Sequence, residues 1–161
     1  MAEERLQRRL AAIMSADVVG YSRLMGIDEA GTLSRLNALR RALIDPAIGA
    51  HSGRIVKLMG DGALVEFASA VDAVACAIEI QRQLRDHDTG VSVDDPIRLR
   101  IGINVGDIII EGEDILGDGV NIAARIEGIA EPGGISISED TWRQVQGKVS
   151  ANFVDAGERS L

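Results

Sequence analysis

The spacing of apolar residues along this 161-residue chain changes repeatedly, and the order of those changes restricts the fold more than any other feature. Leu10 to Val19 is an apolar run without helical spacing, closed by Gly20, and it predicts a strand buried on both faces. From Ala30 to Ile48, residues Leu33, Leu36, Leu39, Leu43 and Ala47 recur at helical steps, so an amphipathic helix is expected, ended by Gly49 and Gly53. Arg54 to Leu58 and Ala63 to Phe67 flank Met59-Gly60-Asp61-Gly62, where Asp-Gly signals a hairpin. Ser69 to Leu84 returns to helical spacing, and the polar stretch Arg85 to Pro96 reads as a loop. Ile97, Leu99, Ile101, Ile103 and Val105 then alternate with Arg98, Arg100, Gly102 and Asn104 as a half-buried strand does. Gly106-Asp107 is expected to turn that strand back through Ile108 to Ile110. A helix over Val120 to Ala130 with Asp118 as its N-cap, a strand at Ile135 to Ser138, a helix at Glu139 to Gln146 and a strand at Asn152 to Asp155 complete the pattern. The order predicts an α+β fold, a ferredoxin-like βαββαβ sandwich in which helices cover one face of an antiparallel sheet.

The length suits one domain with one core. Hydrophobic residues make up 46% and charged residues 26%, which excludes a disordered chain. Glu66, Asp72 and Glu79 interrupt the longest apolar stretches, so no transmembrane span is expected. Met1 through Leu10 is charged and does not read as a secretory signal. The single cysteine, Cys76, lies in an apolar helical pattern, reads as a buried thiol and fits a reducing, cytoplasmic setting. A net charge of −8 excludes a sequence-independent grip on nucleic acid. A small phosphate-bearing ligand would need local cations or bound metal to reverse the sign at its site.

Asp17 is the anomaly of the first strand. It stands among Ile13, Met14, Ala16, Val18 and Val19, where an unpaired carboxylate is costly to desolvate. A basic partner, backbone N–H groups or a metal ion could each compensate it, and a turn cap is the plainer reading. Asp61 sits in the hairpin turn. If the hairpin lies beside the first strand, both carboxylates reach the same sheet edge and together suit Mg²⁺ or Mn²⁺. Asn121 and Arg125 are four apart and share a helix face beside the stripe of Ile122, Ile126 and Ile129, although Arg125 could equally pair with Glu111 or Glu127. Lys57 and Asp114 read by themselves as solvated charges.

Three segments in order, Ser15-Ala16-Asp17-Val18-Val19-Gly20-Tyr21-Ser22, Lys57-Leu58-Met59-Gly60-Asp61-Gly62 and Asp114 through Arg125, closely resemble the catalytic domain of class III adenylate and guanylate cyclases. The resemblance runs from about Arg9 to the C-terminus, leaving residues 1–8 as a lead-in. It implies a class III cyclase homology domain that forms cyclic AMP and pyrophosphate from ATP. By that resemblance Asp17 and Asp61 bind two divalent cations, Mg²⁺ or Mn²⁺, and the backbone amides of Val18, Val19, Gly20, Tyr21 and Ser22 cradle phosphates. Lys57 and Asp114 read adenine, by donation to ring nitrogen N1 and acceptance from the 6-amino group. Guanylate cyclases typically carry Glu and Cys at those places. Asn121 orients the ribose, and Arg125 neutralises charge on the α-phosphate. The family's sites lie between head-to-tail subunits, so a chain with all six side chains is expected to form a homodimer with two composite sites.

Two departures qualify the resemblance. Tyr21 stands where many relatives have Phe. The chain ends at Gly157-Glu158-Arg159-Ser160-Leu161, where relatives continue with a Lys and a last strand, so the domain is expected to stop short of that strand. Regulation is expected from attached domains. The alternative readings are a catalytically silent nucleotide-binding regulatory module and a guanylate cyclase. The Gly-Gly-Asp/Glu-Glu-Phe signature of diguanylate cyclases is absent.

Overall fold

A computed structural model describes residues 7–59, 61–90 and 96–157. Most of the expected lead-in, Gly60 of the hairpin turn, positions 91–95 of the expected loop and the last four residues lie outside the described residues. Strand β1, Gln7–Val18, is the middle of the sheet. It has neighbours on both sides and alternates Ala12 and Met14 into one core with Ala11 and Ile13 into another, as its unbroken apolar run requires. Gly20, at φ +65°, then reverses the chain into the short helix α1, Tyr21–Ile27. Asp28 caps α2, Glu29–Leu39, by accepting from the Gly31 amide at 3.0 Å.

The expected single helix is two, α2 and α3, Asp45–Ala50, joined without a break by a π-helical stretch, Arg40–Ile44. Pro46 has no N–H to give the preceding turn, and the Asp45 amide donates five residues back to Arg40. Strands β2, Arg54–Met59, and β3, Gly62–Phe67, form the expected hairpin. Helix α4, Ala70–Gly90, starts where Ser69 Oγ accepts from the Asp72 amide and runs beyond Leu84, so the first part of the expected loop is helix. Its exposed polar end, Arg85 to His87, is a solvated helical turn that composition alone makes look like a loop.

Strand β4, Leu99–Glu111, does not turn at Gly106-Asp107: those residues pair with Ala11 and Leu10 of β1, and the strand continues. Gly106 serves close packing instead, because a Cβ there would lie 3.1 Å from the Cα of Gly119. The chain reverses at Gly112, φ +62°, into β5, Asp114–Leu116. Helix α5, Asp118–Gly128, has Gly117 as its N-cap with no side-chain bond. Asp118 is its first residue rather than its cap, placed where a negative charge favours the helix dipole. Strand β6, Ile135–Ile137, runs parallel to β4, and α6, Glu139–Val145, follows a Ser138 cap. Residues 152–155 form no strand; Phe153 packs against the main core.

The sheet order is β2-β3-β1-β4-β5, with β6 also on β4. Helix α4 and Val145 of α6 close the larger core, whereas Ala123 of α5 joins Ala11, Ile13, Leu64, Ile108 and Ile115 on the opposite side. Helices therefore flank both faces, not one. The sheet is curled, so its first and last strands approach: Arg54 of β2 donates to the carbonyl of Glu113 at 3.0 Å. The same arginine, with Arg9, pairs with the buried carboxylate of Glu66. Among the described residues no helix is long and apolar enough to cross a membrane.

Candidate active site

Asp17 is the penultimate residue of β1, in register with Gly62 of β3 and Arg100 of β4. Asp61 immediately precedes β3, and its carbonyl accepts from the Val18 amide at 2.9 Å. The hairpin thus lies beside the first strand and brings the two carboxylates to one sheet end. Asp17 Oδ1 is buried with no hydrogen-bond partner. Burial and the charge of Asp61 push the Asp17 carboxyl above its ordinary range, while a hydrogen bond from Glu127 and the charge of Arg100 oppose the shift. Glu127, on α5, is pushed up to about 7 by burial and by the charge of Asp17. The hydrogen bond between the two carboxyls lowers Asp17 and raises Glu127, so a proton shared by the pair is held more readily by Glu127.

Sequence reading missed Glu127 and Arg100 as members of this cluster, having weighed Glu127 only as an ion-pair partner of Arg125. Glu127 follows the buried Ala123 by one helical turn, which puts it on the sheet-facing side of α5, and that position was the available signal. Gly102 makes the approach feasible: a Cβ there would stand 2.3 Å from the Glu127 amide nitrogen. Arg100 Nε donates to the carbonyl of Ala130 at 2.9 Å, just past the end of α5.

The segment Val18 to Ser22 leads from this cluster into α1. The Val18 amide is engaged by Asp61, and the Val19 amide donates to the carbonyl of Arg98 at 2.9 Å. Of the five amides expected to cradle phosphates, Gly20, Tyr21 and Ser22 are the ones at the helix start, where N–H groups lack intrahelical acceptors.

Lys57 and Asp114 also come together. Lys57 Nζ lies 3.2 Å from Asp114 Oδ1. The Ile115 amide and Lys57 lower the Asp114 carboxyl below its ordinary range. A β-bulge between Ile55 and Lys57 makes this pairing geometrically available. Ile55 is opposite Val65 and joins the larger core, yet Lys57 is opposite Leu64, whose side chain lies in the smaller one. The extra residue, Val56, turns Lys57 onto the face that β5 approaches. Asn121 and Arg125 are exposed on α5, and among the described residues Arg125 has no ion pair with Glu111 or Glu127.

A curled sheet of this order, with an acidic end and a helix packed across it, is the architecture of the nucleotide cyclase domain. The family model described as Adenylate and Guanylate cyclase catalytic domain matches residues 5–161, and the chain belongs to that family. Over 157 residues it is 49% identical to the protein of Rhizobium meliloti (strain 1021) named "Putative adenylate cyclase 3", covering 98% of this chain and 27% of that protein. It is 34% identical over 131 residues to the protein of Streptomyces coelicolor (strain ATCC BAA-471 / A3(2) / M145) named "Adenylate cyclase", covering 80% of this chain and 32% of that one. The chain therefore spans about a third or less of the length of these two curated relatives. The crystal structure of an adenylate/guanylate cyclase/hydrolase from Silicibacter pomeroyi superposes with a TM-score of 0.89 at 46% identity, covering 96% of this chain and 90% of that one. The adenylyl cyclase CyaB from P. aeruginosa superposes with a TM-score of 0.78 at 25% identity, over 90% of this chain and 84% of that one.

Proposed function

We propose that this domain is an adenylate cyclase, acting in the cytoplasm as a head-to-tail homodimer whose two sites each draw on both subunits. The observation that carries the reading is Asp17 Oδ1, a buried carboxylate oxygen with no partner, beside a second aspartate. An oxygen of this kind fits a hard divalent cation. Among the described residues no three acidic, histidine or cysteine side chains converge into a metal cage. That suits Mg²⁺ or Mn²⁺ held by one or two carboxylates, with substrate phosphates and water completing the sphere.

Asp17 and Asp61 would hold two such ions, whose chemistry is to acidify the ribose 3′-hydroxyl and to neutralise the triphosphate. The amides of Gly20, Tyr21 and Ser22 bind phosphate oxygens. Lys57 donates to N1 of adenine and Asp114 accepts from its 6-amino group, a pattern that guanine reverses. The other subunit supplies Lys57 and Asp114 together with Asn121, which orients the ribose, and Arg125, which neutralises charge developing on the α-phosphate. The bond from O3′ to the α-phosphorus forms, the bond from that phosphorus to the bridging oxygen breaks, pyrophosphate leaves, and the hydroxyl proton passes to water.

The composite site has a direct test. Asp61→Ala and Arg125→Ala chains, each inactive alone, should regain cyclic AMP synthesis when mixed, because a mixed dimer holds one intact site. No recovery defeats the shared-site reading. Preferential cyclic GMP formation from GTP by the unsubstituted protein defeats the base assignment.

A further inference from the structure

Arg100 stands where the strand carrying Asp17 meets the end of the helix carrying Asn121 and Arg125. Its backbone is in register with Asp17, and its Nε–H reaches the Ala130 carbonyl at 2.9 Å. Two residues further along the same face of β4, Gly102 admits the backbone of α5, and Glu127 from that turn bonds to Asp17. The inference rests on the composite site proposed above, in which a chain's aspartates and its α5 residues serve different sites of the dimer. Within one chain, the contacts around Arg100 therefore join half of one site to half of the other.

We propose that Arg100 is a positioning residue that locks the C-terminal end of α5 to the Asp17 end of the sheet, fixing the two half-sites of each chain relative to one another. It touches no reacting atom. Two effects follow from removing it. The end of α5 loses its tether to β4, and the Asp17–Glu127 pair loses a nearby positive charge, which strengthens the attraction of Asp17 for a divalent cation.

The two effects separate in mixed dimers of Asp61→Ala and Arg125→Ala chains, where the intact site takes its aspartates from the Arg125→Ala chain and its α5 residues from the other. Arg100→Gln in the Asp61→Ala chain should lower kcat about tenfold with the Mn²⁺ half-saturation unchanged. In the Arg125→Ala chain it should instead lower the Mn²⁺ concentration for half-saturation, by about threefold or more, with a smaller loss of kcat. The same loss in both arrangements, or no change in either, overturns the proposal. Hydrogen exchange reads the tether without turnover. Protection of the amides from Gly128 to Gly134 should fall about tenfold in Arg100→Gln while that of β1 holds. Unchanged protection overturns the proposal whatever the activity. If Arg100→Gln chains fail to dimerise, Arg100→Lys, which keeps the charge but not the Nε–H, should show the exchange change without the Mn²⁺ shift, and absence of the exchange change overturns the proposal there too. Failure of the parent mixture to recover counts against the composite site alone, since exchange tests the tether independently.

Discussion

Lys57 of β2 and Asp114 of β5 meet at 3.2 Å although 57 residues separate them in the chain and their strands lie at opposite ends of the sheet order. The curl of the sheet, not its hydrogen-bond ladder, brings them together. Both side chains are substantially exposed, 38% and 43%, so solvent screens their ion pair and it adds little to stability. In the proposed adenylate cyclase its value is directional: a fixed donor beside a fixed acceptor would present an edge complementary to adenine. The double variant Lys57→Glu, Asp114→Cys should therefore keep a melting temperature within about 4 °C of the parent. Its product should move from cyclic AMP toward cyclic GMP when ATP and GTP compete. An unchanged product ratio would remove the pair from base selection.

Asp17 is held in an environment that disfavours its own charge. In the metal-free protein, Asp17→Asn should relieve repulsion from Asp61 and raise the melting temperature by about 2–4 °C, equivalent to roughly 1 kcal/mol. Cyclase activity should fall to background at the same time. Calorimetry in a chelating buffer, set beside an activity assay, checks both. A variant that is less stable as well as inactive would mean that Asp17 has a structural role.

Gly102 has no space for a side chain, since a Cβ would come within 2.3 Å of the backbone nitrogen of Glu127 and 2.7 Å of the Ala123 carbonyl. Both obstacles are backbone, so α5 must move as a unit. Gly102→Ala should cost about 1–3 kcal/mol, read as a lower denaturation midpoint. It should reduce kcat further than the stability loss explains, because Asn121 and Arg125 move with the helix. Gly26, with open space around it, is the control, and Gly26→Ala should leave kcat unchanged.

The raised value of Glu127 has a pH signature. Its folded-state value of about 7 exceeds the ordinary 4.5, so folding binds a proton between those values. The stability it contributes is complete below about pH 4.5 and is lost as pH rises through 7. Asp17, also raised, acts in the same direction. Without metal, the melting temperature of the parent should therefore fall relative to that of Glu127→Gln as pH rises across this window. Parallel curves for the two proteins would refute the shared proton.

Much of this architecture is legible in the chain because periodicity is a local property. Leu10 to Val19 and Ile97 to Val105 read as strands, and the helices at Leu33, Val74 and Ile122 follow from spacing alone. Local signals also misled where one residue type serves two purposes. Gly106 looks like a turn but is a contact point for Gly119, and the polar end of α4 looks like a loop but faces solvent as helix. The site was partly visible in the same way. A carboxylate at position 17 in an apolar strand requires compensation, and a hairpin carrying Asp61 could supply its neighbour. Glu127 and Arg100 left only faint marks, since a charged residue on an amphipathic helix or an alternating strand looks solvated until its facing surface is known.

Local pattern was enough for most of the strands and helices, for the hairpin that carries Asp61 and for the mismatch between Asp17 and its surroundings; that the hairpin lies beside β1 came from the pairing of β3 with β1. Which residues share a face was set by pairing and packing between distant segments. By alternation Ile55 and Lys57 belong to the same side of β2, and only the bulge at Val56, set by pairing with β3, puts them on opposite sides. Whether β5 lies near enough to receive Lys57 depends on the curl of the whole sheet, and whether α5 covers the same face as α4 depends on the path by which β5 leads to β6. Spacing along a chain reports each residue's own backbone. Bulges, curl and the choice of face come from hydrogen bonds and packing between segments far apart in sequence, and no local pattern encodes them.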